Sequence, residues 1–244
     1  SASSFAGYRR VRSLLAPSFR RLSAVGAQSE AYAERFRALG APGERVRVSG
    51  TMKWDVELRD DLERRAEAMR DALGVPRDRP VVVAISTGPG EEAGLLAHTP
   101  EEVALVVVPR KPERFEEVAA LAPWVRRSRR PDGGAAVDGG GPPGEEERGP
   151  ARFLVDTMGE AEVATALADV VVVGRTFNGM GGSNPSPAAA LGKPIVTGPD
   201  HHNFLEVTAA LSDAAMCIPT LDALPGVLDD GPTLARMAAA GPAI

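Results

Sequence analysis

The sequence predicts an α/β fold built on a doubly wound parallel sheet, and three observations support this prediction. Short β-branched runs alternate with segments of helical spacing from Val81 onwards. These runs lack the apolar–polar alternation of a strand with one solvent face, so both faces are expected to be buried. Turns rich in glycine and hydroxyl groups follow the runs, where open parallel sheets bind ligands. The predicted strands cover residues 81–85, 105–108, 153–155, 170–173 and 195–197.

The chain is predicted to contain parts of two domains. Residues 1–50, with a helix over 31–39 and a strand over 46–48, are interpreted as the remnant of a first domain with its linker. Residues 51–244 are assigned to the second domain. The stretch 131–149 is rich in glycine, proline and acidic residues, which is typical of a flexible surface loop.

A charged helix is predicted over residues 56–73, because its apolar residues recur at helical spacing. Gly74 follows as the expected C-terminal cap. The residues on the apolar face are Leu58, Leu62, Ala66, Met69 and Leu73.

Composition excludes several classes of protein. An apolar fraction of 43% is enough for a core and argues against disorder, and a net charge of −5 argues against a dedicated nucleic-acid binder. The single cysteine, Cys217, excludes an internal disulfide and a cysteine metal cluster, and its apolar neighbours favour a buried side chain. No apolar run reaches the length of a transmembrane helix, and the sequence has no recognisable signal peptide.

The opening segment mixes arginines with apolar residues and has two interpretations. A basic amphipathic helix can rest on an anionic membrane. An ordinary surface helix with its arginines in solvent is the favoured interpretation. The arginines are Arg9, Arg10, Arg12, Arg20 and Arg21.

The loop 109–115 is the first of three candidate ligand loops at the ends of predicted strands. Arg110 and Lys111 precede Pro112, which is well suited to the start of a helix. Cations beside a helix N-terminus form a good anion site. The alternative is a surface turn in which Glu113 pairs with a nearby arginine.

The second loop, 156–160, is predicted to cap a helix that starts near Met158. Asp156 or Thr157 is the expected cap, and Thr157 with Glu160 has the spacing of a capping box. Capping alone explains this composition. Gly159 would leave the first turn open to a base or ribose.

The third loop runs from residue 174 to 184 and is rich in glycine. A cap at Ser183 or Asn184 and a proline at the helix start are predicted. The backbone N–H groups of such a loop suit a phosphate or a carboxylate.

Two further turns are expected at the same sheet edge, over 86–92 and 198–204. In the second, Asn203 is expected to bond backbone within a loop at the cleft. The adjacent His201 and His202 near Asp200 do not form a convincing metal site, because no third ligand has the right spacing.

In these motifs the sequence resembles the bacterial Kdo transferases, where Kdo is 3-deoxy-D-manno-octulosonic acid. Seven motifs occur in the family's order, and the resemblance runs from the first residues to about Phe204. The motifs are AQSE (27–30), SGTMKWD (49–55), STGPGEE (86–92), PRKPERF (109–115), DTMGE (156–160), GGSNP (181–185) and GPDHHNF (198–204).

The resemblance implies the C-terminal, donor-binding half of a GT-B glycosyltransferase with a Rossmann-like sheet. Such an enzyme transfers Kdo from CMP-Kdo to lipid A precursor at the cytoplasmic face of the bacterial inner membrane, without a metal or other cofactor. The implied donor-site residues are Lys53, Ser86, Thr87, Pro109, Arg110, Glu113, Arg114, Thr157, Met158, Gly159, Glu160, Gly181, Gly182, Ser183, Asn184 and Asn203.

The resemblance also implies that the catalytic base is a glutamate of the N-terminal, acceptor domain upstream of Ser1. This chain alone is therefore expected to be soluble and inactive. Two alternatives remain: a related transferase with another nucleotide sugar, and a non-catalytic nucleotide-binding or interaction module.

The sequence departs from the family pattern inside the motifs, and these departures support the alternatives. Pro187 stands where a glutamate that could bond the ribose is usual, and proline offers no side-chain hydrogen bond. Arg175 replaces a glycine. Gly88, Ser183 and Asp200 stand where histidine is common.

Overall fold

The computed structural model describes residues 2–50, 58–130 and 151–241, which form two compact units. The first unit is Ser1–Asp55 and the second is Val56–Ile244. The predicted flexible loop at 131–149 and the candidate residue Lys53 lie outside the described residues.

The first unit is a small layer of helices on a parallel strand pair. Its core consists of Val25, Ala27, Ala33, Ala41 and Val46, with α3 packed against the two strands. The predicted helix and strand are confirmed, and the five arginines of the opening segment are exposed. The elements are α1 (Ala2–Arg10), α2 (Arg12–Arg20), β1 (Val25–Ala27), α3 (Glu30–Leu39) and β2 (Val46–Val48).

The second unit is built on a seven-stranded parallel sheet in the order β5-β6-β4-β3-β7-β8-β9. All five predicted strands are confirmed to within two residues. The central strands are buried on both faces, as their unbroken valine runs predict. The strands are β3 (Val81–Thr87), β4 (Ala104–Pro109), β5 (Val125–Arg126), β6 (Arg152–Leu154), β7 (Val170–Val173), β8 (Ile195–Thr197) and β9 (Ala215–Cys217).

Helices alternate with these strands, which is the arrangement of a doubly wound sheet. Within residues 2–50, 58–130 and 151–241, no helix is long and apolar enough to span a bilayer. The helices are α4 (Leu62–Leu73), α5 (Glu91–His98), α6 (Phe115–Ala119), α7 (Ala161–Ala166), α8 (Ser186–Ala190), α9 (Leu205–Ala210), α10 (Leu224–Leu228) and α11 (Gly231–Ala240).

The order of the strands fixes where a ligand can bind. The chain leaves β3 toward β4 on one side and leaves β7 toward β8 on the other, although β3 and β7 are neighbours. The connections therefore diverge between these two strands and leave a crevice at their carboxyl ends. Ligands of doubly wound proteins bind at such a switch point, so the loops after β3 and β7 are expected to form the site.

The predicted helix over 56–73 starts later than expected. The observed helix α4 begins at Leu62, and Leu58 lies outside it with an exposed side chain. Arg59 pairs with Asp61 at 3.0 Å and closes a turn before the helix. The predicted end is correct, because Gly74 follows the helix in the left-handed region with φ of 70°.

The prediction of a buried Cys217 is wrong. Cys217 is exposed, whereas Ala214 and Ile218 beside it are buried. The physical reason is that β9 is an edge strand, paired only with β8 among the residues that the structure describes, and an edge strand is covered less completely than a central one.

Candidate functional site

The carboxylate of Glu91 joins the two loops of the switch-point crevice. It accepts the backbone N–H of Gly88 at 2.8 Å from the loop after β3. It also accepts the N–H groups of Arg175 at 2.7 Å and Phe177 at 3.0 Å from the loop after β7. Glu91 is only 3% exposed, so its buried carboxylate holds the two loops together.

Close packing between the same two loops depends on glycine. A Cβ atom at Gly174 would lie 2.5 Å from the Cα of Thr87. At Gly88 it would lie 2.5 Å from Nδ2 of Asn178. Residue 174 therefore excludes a side chain, because its contacts are backbone atoms, whereas a side chain at residue 88 would displace the side chains of Asn178, Arg175 and Met180.

The loop after β4 places two cations at the same sheet edge. The backbone N–H of Arg110 donates to the carbonyl oxygen of Thr87 at 3.1 Å, which ties this loop to the end of β3. The side chains of Arg110 and Lys111 are exposed, and neither forms an ion pair within the described part of the chain. Pro112 begins a short 3-10 helix, as predicted. The cations that the anion-site hypothesis requires are thus free to meet a ligand.

Arg114, another predicted donor-site residue, forms ion pairs with carboxylates of the protein itself. Its guanidinium makes two hydrogen bonds to the carboxylate of Glu92, at 2.6 and 3.0 Å, and two to that of Glu117, at 2.9 and 3.4 Å. Glu92 is fully buried, and its hydrogen bonds raise the pKa of Arg114 above the ordinary arginine value. Arg114 fastens the 3-10 helix to α5. The expected partner in the surface-turn alternative, Glu113, makes no ion pair among the described residues.

The loop after β6 is built around buried Asp156. Its carboxylate accepts the N–H of Ser128 at 2.8 Å, the hydroxyl of Ser128 at 2.7 Å and Nε of Arg126 at 2.6 Å. The prediction that Asp156 or Thr157 caps a helix near Met158 is wrong, because α7 begins only at Ala161. Asp156 turns instead toward the neighbouring edge strand β5, whose arginine offers a charged donor.

Thr157 and Glu160 meet, but not as a capping box. The hydroxyl of Thr157 donates to the Glu160 carboxylate, and Arg127 adds bonds to that carboxylate at 2.8 and 3.1 Å. Burial alone would raise the pKa of Glu160, but the bonds from Arg127 and Thr157 outweigh it and keep the pKa low. Met158 and Gly159 are exposed beside this group. These are the residues expected near the nucleoside, and that role remains a prediction.

The glycine-rich loop after β7 differs from the expected free anion cradle. The N–H of Gly181 donates to the Asp200 carboxylate at 2.7 Å, and the N–H of Gly182 donates to the carbonyl of Arg175 at 2.7 Å. The two glycine donors that the sequence suggested for a phosphate are therefore occupied. Asn184 does bond the start of α8, since its side chain accepts the N–H of Ser186 at 3.1 Å.

The loop after β8 packs against the glycine-rich loop. Asn203 donates from its side chain to the carbonyl of Met180 at 3.1 Å, which confirms that it bonds backbone. The pKa of Asp200 is lowered, first by the Gly181 N–H and then by His202, which lies 2.7 Å away. Among the described residues, no group of three metal-ligating side chains is present at these histidines or elsewhere.

Buried polar atoms without a partner are concentrated at this edge of the sheet. Eight such atoms occur in the described ranges, and five belong to residues at the carboxyl ends of β3, β7 and β8. Unsatisfied buried groups are costly, so each needs a partner such as a bound water, an ion or a ligand, or a role in strain or chemistry. The five are Thr87 Oγ1, Arg175 Nε, Ser183 Oγ, Ser186 Oγ and Thr197 Oγ1.

Replacing Asp156 with asparagine is expected to lower the free energy of unfolding by about 2 kcal/mol at neutral pH. Burial raises the pKa of Asp156, but the bonds from Ser128 and Arg126 lower it more, to a net value below 3.8. The stabilisation is therefore present above pH 3.8 and is lost as the pH falls through the lower, folded-state pKa. Urea denaturation from pH 7 to pH 3 should show that the difference in unfolding free energy between wild type and variant becomes smaller. A difference in unfolding free energy that does not change with pH would contradict a stabilising role of the ionised Asp156 carboxylate.

Sequence reasoning assigned no site role to Glu91, Glu92, Arg126 or Arg127, which hold the loops in place. The only local signal was a pair of acids directly after Gly90. Acids are favourable in the first turn of any helix, so that signal did not distinguish a brace between loops from an ordinary helix start.

Comparison with known proteins agrees with this architecture. The C-terminal CMP-Kdo binding domain of WaaA from Acinetobacter baumannii superposes with a TM-score of 0.61 at 23% identity, over 75% of this chain and 97% of that domain. The chain thus has the fold of the C-terminal half of a GT-B glycosyltransferase.

Sequence relationships identify the family. Residues 1–56 match the family described as 3-deoxy-D-manno-octulosonic-acid transferase (kdotransferase). The transferase of that name from Haemophilus influenzae is 31% identical over 85% of this chain, and the one from Bordetella pertussis is 36% identical over 70%. The chain belongs to the Kdo transferase family. It spans 48% and 40% of the lengths of these two relatives, respectively.

Proposed function

We propose that this chain carries the donor-binding half of a glycosyltransferase that uses CMP-Kdo and transfers Kdo to lipid A precursor. The observation that carries the proposal is the free pair Arg110 and Lys111 beside the switch-point crevice. Further support comes from the similar fold of the Acinetobacter domain, which is a CMP-Kdo binding domain.

In the proposed reaction, the bond between the anomeric carbon of Kdo and the CMP phosphate breaks while the acceptor oxygen bonds to that carbon. The acceptor proton passes to a base, which the family resemblance assigns to a glutamate of the acceptor domain. Arg110 and Lys111 stabilise the charge that develops on the departing phosphate. Residues 157–160 line the pocket for the cytidine and ribose.

A second candidate, a non-catalytic nucleotide-binding or interaction module that has lost activity, is favoured by one observation. Glu160 is the acid that could replace the missing glutamate at Pro187 in bonding a ribose. Its carboxylate already accepts bonds from Arg127 and Thr157. A ribose hydroxyl would have to compete with a charged, buried donor.

We also propose that the complete enzyme works at the membrane surface on the cytoplasmic face of the bacterial inner membrane. The exposed arginines of α1 and α2 support this proposal, together with exposed Val11 and Leu14, which is 77% exposed. Basic and apolar side chains on one helical segment favour an anionic bilayer interface.

Titration calorimetry with CMP, UMP and GMP tests the proposed donor. CMP is expected to bind more tightly than the other two nucleotides. The Arg110→Ala variant is expected to bind CMP at least about tenfold more weakly than wild type, since a hydrogen bond to a charged group is lost. Arg79→Ala, which removes an arginine from the opposite sheet edge, is the control and should bind CMP like wild type. A folded wild-type protein with no preference among the nucleotides would overturn CMP as the ligand.

A further inference from the structure

Two non-glycine residues of the described chain have left-handed backbone conformations, and both lie at the switch-point crevice. Ser86 has φ of 55° near the end of β3, where the pairing with β4 is irregular, and Arg175 has φ of 64° on the loop after β7. This region is unfavourable for residues with a Cβ atom. Such outliers persist where surrounding contacts impose them, and they are concentrated at binding sites.

The backbone of Arg175 is fixed from both sides. Its N–H donates to the buried carboxylate of Glu91 at 2.7 Å, and its carbonyl oxygen accepts the N–H of Gly182 at 2.7 Å. These bonds hold the residue in the left-handed region and so determine where its side chain begins.

The side chain of Arg175 extends over the loop after β3. Its Cγ lies 3.1 Å from the position that a Cβ atom at Gly88 would occupy. The absence of a side chain at residue 88 therefore makes room for the arginine. The stem of the arginine, which starts from the loop after β7, therefore lies against the loop after β3.

The guanidinium of Arg175 keeps unused hydrogen-bonding capacity. Its Nε is buried without a partner, and Nη2 makes one long bond of 3.3 Å to the carbonyl of Met180. No carboxylate pairs with Arg175 in the described part of the chain, because nearby Glu91 is turned to three backbone N–H groups. A partly buried arginine with free donors and no counter-charge is suited to an anion.

Buried hydroxyl groups lie at the same edge. Thr87 is 1% exposed and Ser183 is 9% exposed, and the hydroxyl oxygen of each has no partner. Thr87 adjoins Gly174, the residue before Arg175. Hydroxyls and a guanidinium together offer the donors that a phosphate group accepts.

We propose that the guanidinium of Arg175 binds the phosphate of the nucleotide at the switch point. Gly88 has no side chain, and this leaves room for the arginine. This inference rests on the proposed function, because it assigns a second cation to the same donor site. The competing structural explanation is that Arg175 only supports the glycine-rich loop through the Met180 carbonyl.

The test compares CMP with cytidine, which lacks the phosphate, by titration calorimetry on the full chain. Arg175→Gly and Arg175→Gln are both expected to weaken CMP at least about tenfold and to leave cytidine affinity within about twofold of wild type. Glycine is compatible with the positive φ, so that variant should fold at least as well as wild type. The charge-matched control Arg79→Gln, at the opposite sheet edge, should change neither affinity.

Each outcome decides between the explanations. Unchanged CMP affinity, or an equal loss for CMP and cytidine, would show that Arg175 serves the loop and not the phosphate. A wild type that binds UMP as well as CMP would remove the cytidine preference from the proposed function. UMP and uridine would then give the same comparison for Arg175. Failure of the wild type to bind any nucleotide would overturn both proposals.

Discussion

Replacing Glu91 with alanine is expected to lower the free energy of unfolding by about 4 kcal/mol. The variant leaves the N–H groups of Gly88, Arg175 and Phe177 without their acceptor in a buried or partly buried place. Each unsatisfied buried donor costs about 1–3 kcal/mol. Chemical denaturation followed by circular dichroism measures the loss.

The matched control for this prediction is Glu113→Ala. Glu113 is exposed and makes no ion pair among the described residues, so its removal should change stability by less than about 0.5 kcal/mol. The Glu91 variant should also lose nucleotide affinity, because the loops on both sides of the crevice depend on one carboxylate. Equal stability of the two variants would show that the loops do not need this acceptor.

Replacing Glu92 with alanine is expected to cost about 3 kcal/mol of unfolding free energy. Glu92 is fully buried, and its carboxylate accepts two bonds from Arg114, whose side chain is only 11% exposed. The variant leaves the guanidinium in a poorly hydrated place with Glu117 as its remaining carboxylate partner. Removing one member of a buried ion pair is costly even where the intact pair adds little net stability.

Two further variants separate this effect from a general loss of charge. Glu117→Ala removes the more exposed ion pair of Arg114 and should lower the free energy of unfolding by no more than about 1 kcal/mol. A double variant, Glu92→Met with Arg114→Met, fills the space without charge and should recover much of the stability lost in Glu92→Ala. A double variant less stable than Glu92→Ala would show that the two methionines do not fit the space.

The sheet could be predicted from sequence because its strands are defined by composition. Runs such as 170–173, which are entirely valine, have no polar face and can only lie inside a parallel sheet. The turns that follow them end on the same edge by topology, so the location of the candidate site was predictable as well. The Kdo transferase resemblance then identified the family.

The roles of individual polar groups at that edge could not be predicted, because they depend on contacts between distant loops. Asp156 has the local signature of a helix cap, but its carboxylate instead accepts a hydrogen bond from the charged side chain of Arg126 on the neighbouring strand. The N–H of Gly181 looks free in sequence, yet Asp200 lies nineteen positions further on and accepts it. Such pairings follow from tertiary structure and leave no periodic signal in the chain.

The exposed edge strand β9 gives this protein a built-in attachment point for a spectroscopic probe. Cys217 is the single thiol of the sequence, and it ends a strand at the same edge of the sheet as the crevice, beyond β8. A maleimide dye would therefore attach to one known position without any engineered cysteine. Because Cys217 is paired in register with Thr197, whose loop packs on the glycine-rich loop, the dye would sit where a rearrangement around bound nucleotide can change its emission.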